Sequence, residues 1–283
     1  MERLGDMPPA NTGNNFETSF MTNPIISKLG KVREAGENRD VATYGGIGIK
    51  TAFFLLLTVV GVFSFFTLHS FFGAGAGSAS AIEIGNNYFD LREFGILIAA
   101  GLITIFMPML AWLIRGTIPV TGSLYAISQG YVLSFSANLY GGEYVQLVWL
   151  ALGITILIVA SMLTLYVTRT IKVDQKFYSV IKVLFITSIA ASITFFICRF
   201  IPLTAPLVKY IENNAVLSIG GSVVFIIIAA LFLLSDFDVI EKTVEHQLPK
   251  KYEWIAAFGL VFTIIWLYLK VLNLLTRMSN KRR

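Results

Sequence analysis

The sequence predicts an all-α membrane protein, a bundle of seven transmembrane helices, and three observations predict it. Of its 283 residues, 55% are hydrophobic and 14% charged, with a mean hydropathy of +0.73, a balance foreign to a water-soluble domain. Apolar runs long enough to cross a roughly 30 Å hydrocarbon core, about 20 helical residues each, recur along nearly the whole chain after residue 46. These runs are apolar on all sides and lack period-two alternation, which argues against an outer-membrane barrel. Helices also satisfy their own backbone hydrogen bonds in lipid.

The expected spans are Ile47 to Leu68, Phe94 to Ile114, Val120 to Leu139, Val145 to Val167, Phe177 to Phe200, Val216 to Ser235 and Trp254 to Thr276. They divide the chain into a cytoplasmic tail (1–45), a transmembrane domain (46–278) and a short basic tail (279–283). The first 45 residues are polar and mixed in charge, with Pro8 and Pro9. They read as disordered, and they lack the apolar core of a cleaved signal peptide. Cys198 is the sole cysteine, so no intrachain disulfide forms.

Alternating spans collect Lys28, Lys31, Arg33, Arg39, Arg115, Arg169, Lys172, Lys176, Lys242, Lys250 and Lys251 on one side, which the positive-inside rule makes cytoplasmic. The net charge of +5 is therefore topogenic, and no nucleic-acid partner is expected; the partner the composition implies is the lipid bilayer. The other side carries Arg92 and Lys209 with Glu83, Asp90 and Glu143. The basic ending Arg277, Lys281, Arg282, Arg283 falls there too if all seven runs cross. Otherwise one run enters and leaves on the same side.

Soluble-enzyme motifs are missing: there is no zinc-hydrolase helix, P-loop or serine elbow, and His69 and His246 lie far apart. No enzyme activity and no cofactor are expected. Gly73 to Ser78 lacks the strand, helix register and lysine of a phosphate cradle and reads as a flexible loop between Phe71 and Arg92. Gly45, Gly46 and Gly48 lead into the first span. Pro108 is expected to kink the second, and Gly220-Gly221 to allow close approach in the sixth.

Polar residues inside the spans say more. Gln129 can hydrogen-bond between helices while neutral, and Arg199 can snorkel at the outer end of the fifth span. Lys270, deep in the last run, carries a charge that costs several kcal/mol unless paired or hydrated. Asp236 and Asp238 close the sixth apolar run, where a helix C-terminus would disfavour them. Val239, Ile240, Val244 and Leu248 instead continue the helix toward Pro249. Asp236 would then lie roughly 18 Å from that end and Lys270 roughly 24 Å from the start of the following antiparallel helix, within reach of each other. The alternative is that Lys270 snorkels outward.

Several segments resemble the bacterial YccA-like branch of the Bax inhibitor family. They are Asn23 to Gly30, Leu124-Tyr125-Ala126 with Gly130, Asp236 to Glu241, Pro249 to Trp254, Ala257 to Leu260 and Trp266 to Leu269. The resemblance runs from about Asn23 to Leu275. It implies a seven-helix bundle with the last helix at its centre, in the bacterial cytoplasmic membrane, and a proton-sensitive leak with calcium or another cation as cargo. It also implies partners such as a membrane-anchored protease. In that family an acid in the sixth span and one in the seventh form a pH-sensing carboxylate pair. Asp236 matches the first, whereas Lys270 stands at the second and Gln129 replaces an acid in the third span.

The substitution reverses the electrostatics: an Asp236–Lys270 pair would be a latch in which both groups stay charged through the neutral range. Asp238 is then a substitute sensor, as are Glu241 and Glu245 at the cytoplasmic mouth, with Asn273 a further polar candidate along the pathway. A second reading is a non-conducting interaction protein that binds a protease or another membrane protein. A retinal Schiff base on Lys270 lacks its counter-ion, because the third span has no acid and Trp266 stands one turn before the lysine.

Overall fold

The structure is a computed structural model that describes residues 41–72, 81–84, 87–139, 143–171 and 173–280. Its elements follow in order as α1 (Tyr44–Phe72), β1 (Ala81–Ile84), β2 (Asn87–Asp90), α2 (Leu91–Leu113), a 3-10 turn (Arg115–Thr117), α3 (Ile118–Leu139), α4 (Glu143–Val167), α5 (Gln175–Phe200), α6 (Ala205–Asn213), α7 (Ala215–Glu245) and α8 (Tyr252–Asn280). The polar tail over residues 1–40, the loop expected at Gly73 to Ser78 and the basic ending 281–283 lie outside the described residues.

Six of these helices, α1, α2, α4, α5, α7 and α8, are long and apolar enough to cross a membrane. The remaining long one, α3, has 22 residues but carries Thr121, Ser123, Ser128, Gln129, Ser134 and Ser136. Its polarity has a physical reason. Protein rather than lipid surrounds much of it, since Thr121, Tyr125, Ala126, Ser128, Gln129, Tyr131, Ser134 and Phe135 are all buried, and α1 and α2 pack along it.

The α1–α3 crossing is close because glycines meet backbone there. A Cβ on Gly61 would strike the Ile127 carbonyl, and one on Gly130 would strike the Thr58 carbonyl. This is the small-residue contact that lets membrane helices approach. The expected close approach at Gly220-Gly221 does not occur: a Cβ at either position meets nothing within 4 Å. Those glycines sit on a helix face that no neighbour covers.

Helix α8 joins the two main cores. With α1 and α3 it encloses Phe54, Tyr125, Phe258 and Val261, and Phe258 stands edge-on to both Phe54 (5.9 Å) and Tyr125 (5.7 Å). With α4 and α7 it encloses Ala151, Ala229, Leu233, Leu234, Phe237, Leu267 and Val271. Half of its most apolar stretch is buried, against 28% or less in the other five helices.

Three elements depart from expectation. The segment between α1 and α2 is not wholly irregular: β1 and β2 pair antiparallel from Ala81↔Asp90 to Ile84↔Asn87. Gly85-Asn86, which separates them in sequence, is a hairpin signal. Asp90 then caps α2 by accepting from the Arg92 N–H, while the Asp90 N–H donates to Glu93. The short helix α6 was not expected. Finally, α7 does continue past Asp236, but it stops at Glu245 instead of reaching Pro249, and Gln247 turns with φ 49°.

The chain entering α1 is fastened to the α7–α8 turn. Val41 bridges Pro249, and the Ala42 N–H donates to the Leu248 carbonyl at 2.8 Å. Glu253, fully buried in the first turn of α8, pairs with Lys50 and accepts from the Thr43 N–H at 2.9 Å and its hydroxyl at 3.3 Å. Gly46 is no mere lead-in, since a Cβ there would run into the Glu253 carboxylate.

Two outcomes test this packing. Gly130→Ala should lower stability in detergent by about 1–3 kcal/mol through overpacking, whereas Gly101→Ala, facing open space, should leave the melting curve in place. Glu253→Gln should cost about 3–5 kcal/mol by leaving Lys50 uncompensated, and the double variant Lys50→Met/Glu253→Leu should recover much of that loss in the same thermal unfolding measurement.

Candidate functional site

The polar groups of α7 and α8 form an ionic layer near the turn and a lone carboxylate deeper in the bundle. In the layer, the burial cost of each acid is offset by partners from other helices. Asp238 is buried, accepts from the Tyr178 hydroxyl of α5, and pairs with Lys242 one turn later at 2.6 Å. Lys242 also stands 4.8 Å over the Tyr178 ring. Glu241 accepts from the Tyr166 hydroxyl of α4 and from Arg169, in the turn after α4. That hydrogen bond raises the Arg169 guanidinium above its ordinary range. These contacts tie α4 and α5 to the last turns of α7. Two sequence-predicted candidates, Asp238 and Glu241, therefore sit in satisfied networks.

Asp236 is different. Its side chain faces α8, where the nearest polar neighbour is Thr263, whose hydroxyl donates to the Gly259 carbonyl at 3.2 Å, and a Cβ on Gly259 would lie 3.8 Å from Oδ1. Its Oδ2 is sealed from solvent and has no hydrogen-bond partner. A buried carboxylate oxygen without a donor is costly and uncommon, so it is the strongest functional signal in the pair of helices.

The expected Asp236–Lys270 latch is not formed. The Lys270 ammonium stands over Phe225 of α7 at 4.7 Å and over Trp266 at 5.6 Å, and it makes no ion pair among the described residues. The reason is register. Counted from the observed helix ends, Asp236 lies about 14 Å from the end of α7 and Lys270 about 27 Å from the start of α8. Ending α7 at Glu245, and not at Pro249, opens a gap of about 13 Å along the axis. Asp236 therefore meets Gly259 and Thr263, while Lys270 meets Phe225.

Lys270 lies instead in a cleft with Asn273, Thr276, Ser136 and Val148, between α8 and the facing ends of α3 and α4. Asn273 accepts from Arg277 at 2.7 Å, and Arg277 also donates to the Ser218 hydroxyl. Arg199 does not stand alone at the membrane edge, since it pairs with Glu212 at 3.4 Å. Gln129 is buried in α3 with Oε1 lacking a partner, as does the Tyr131 hydroxyl. Glu245 is exposed at the end of α7 and joins no ion pair among the described residues.

Sequence reasoning missed the Glu253–Lys50 pair and the tyrosine partners Tyr166 and Tyr178. A signal existed for the first: Glu253 and Lys50 each fall within the first turns of helices that begin at the same end. None existed for the tyrosines, whose pairing depends on how α4 and α5 rotate about their axes.

No group of three or more metal-ligating side chains occurs among the described residues, so a cation would meet single carboxylates here and not a built cage. No curated protein and no solved structure matches the chain. A family model described as Bax inhibitor 1 like matches residues 23–280. With that match running from ahead of α1 to the last residue of α8, the chain belongs to the Bax inhibitor 1-like family.

Proposed function

We propose that the chain is a seven-helix member of the bacterial YccA-like branch that lets cations leak across the cytoplasmic membrane, with Asp236 as the control point. In this reading α3 is the seventh crossing and α8 the central helix. Arg115, Arg169, Lys176, Lys242, Lys250 and Lys251 mark the cytoplasmic end, by the positive-inside rule. The N-terminus is then cytoplasmic. No catalytic group or resident cofactor is involved, and calcium is cargo.

The observation that carries the reading is the unpartnered Oδ2 of Asp236 between α7 and α8. A carboxylate in a low-dielectric bundle, once ionised, attracts a cation far more strongly than one in water, and an ion or water reaching it would supply the missing partner. The paired acids beyond it, Asp238 and Glu241, are already neutralised by Lys242 and Arg169. They hold α4, α5 and α7 together and leave Asp236 as the group free to respond.

One observation favours a second reading, a non-conducting protein that binds a membrane-anchored protease or another membrane protein. Lys270 and Arg277 place two cations along the far stretch of α8, and like charges there oppose cation passage.

Full-length protein in liposomes should release trapped calcium without any partner, and Asp236→Asn should cut that flux about tenfold, equivalent to about 1.4 kcal/mol. Lys270→Gln, remote from Asp236, should not reduce it. Absence of flux together with a co-purifying membrane protein would transfer support to the second reading.

A further inference from the structure

We infer that the cleft around Lys270 is a binding site for the phosphate group of an anionic phospholipid in the leaflet opposite the α7–α8 turn. The cleft is about 420 Å³ and is bounded by α3, α4 and α8. Its lining has two parts. Lys270, Asn273, Thr276 and Ser136 bring polar groups, and Arg277 adjoins them through its 2.7 Å hydrogen bond to Asn273. Val148, Leu269 and Leu272 form an apolar wall beside them.

The charge is one-sided. Arg277 follows Lys270 two turns later on α8, about 10 Å along the axis. Neither side chain pairs with a carboxylate among the described residues: Arg277 holds Asn273 and Ser218, and Lys270 rests on the rings of Phe225 and Trp266. Ring contacts leave the ammonium's three N–H donors open to a stronger acceptor. Two neighbouring cations without an acid repel each other, so an anion between them removes that repulsion and accepts charge-assisted hydrogen bonds.

Depth selects a lipid. Lys270 lies about 27 Å along α8 from Tyr252, close to the full thickness of a roughly 30 Å hydrocarbon core. That brings the ammonium within reach of the far headgroup boundary, with Arg277 two turns further out. An anion that is also apolar on one side fits this lining: the phosphate on the cationic rim, an acyl chain along Val148, Leu269 and Leu272. The site is independent of whether the bundle conducts, and its test does not use flux.

Native mass spectrometry and thermal unfolding of the full-length protein in detergent should separate the alternatives. Phosphatidylglycerol is expected to remain bound and raise the melting temperature, while phosphatidylcholine with the same acyl chains does neither. Lys270→Gln and Arg277→Gln should each weaken phosphatidylglycerol retention about tenfold, and Lys270→Arg should preserve it. A photoactivatable phosphatidylglycerol on the wild-type protein should crosslink within residues 266–276, which needs no variant to fold. Equal retention of both lipids, unchanged retention in both glutamine variants, or crosslinking elsewhere would overturn the site. Stabilisation by inorganic phosphate alone, without preference for the lipid, would overturn the lipid assignment.

Discussion

The antiparallel pairing of α7 with α8 is the constraint on which the rest of the molecule depends, because its register decides which charge meets which helix. Leu233, Leu234 and Phe237 pack with Leu267 and Val271 on one side of that seam. Each position on α7 is thereby assigned a level on α8. Helix interfaces are close-packed and move in discrete steps, so the register cannot slide by part of a turn to bring a favourable ion pair together. The 13 Å offset between Asp236 and Lys270 follows from where α7 ends, at about 1.5 Å per residue. Apolar packing, not charge attraction, has chosen the partners of both residues.

The ionic layer shows the complementary rule. Near the α7–α8 turn, every acid of the layer recruits a partner from a different helix: Glu253 from α1, Asp238 from α5, Glu241 from α4 and the turn beyond it. Tyrosine hydroxyls do much of this, and they solve a problem that lysine alone does not. A phenol can donate to a carboxylate while its ring stays in the apolar core, so the contact adds no second charge to desolvate. The layer therefore closes one end of the bundle with a phenol beside the cation at both Asp238 and Glu241. Deeper in the bundle such partners run out, and Asp236 has Thr263 alone on the facing helix.

Much of this fold was legible in the sequence. The apolar runs located all the long helices, and the amphipathic continuation through Val239, Ile240 and Val244 correctly carried α7 beyond the two aspartates. Asp236 could be singled out because an acid inside a helix in lipid is conspicuous from composition alone. What the one-dimensional pattern could not supply was axial register and helix rotation. The distance between Asp236 and Lys270 hinged on whether α7 ended at Glu245 or Pro249, and a left-handed residue at Gln247 is not a strong sequence signal. Helix α3 illustrates another gap: its serines and threonines lower its apolarity because protein surrounds it, so hydropathy alone undervalues the helix most enclosed by α1 and α2.

The junction of Val41 with Pro249, backed by Thr43 on Glu253, also has a mechanical meaning. A tensile load applied to the chain ahead of Val41 would reach the α7–α8 turn before it reached the axis of α1. The point of attachment therefore couples the entry of α1 to the start of α8, because the bridge at Pro249 and the bonds to Glu253 share any such load between two helices.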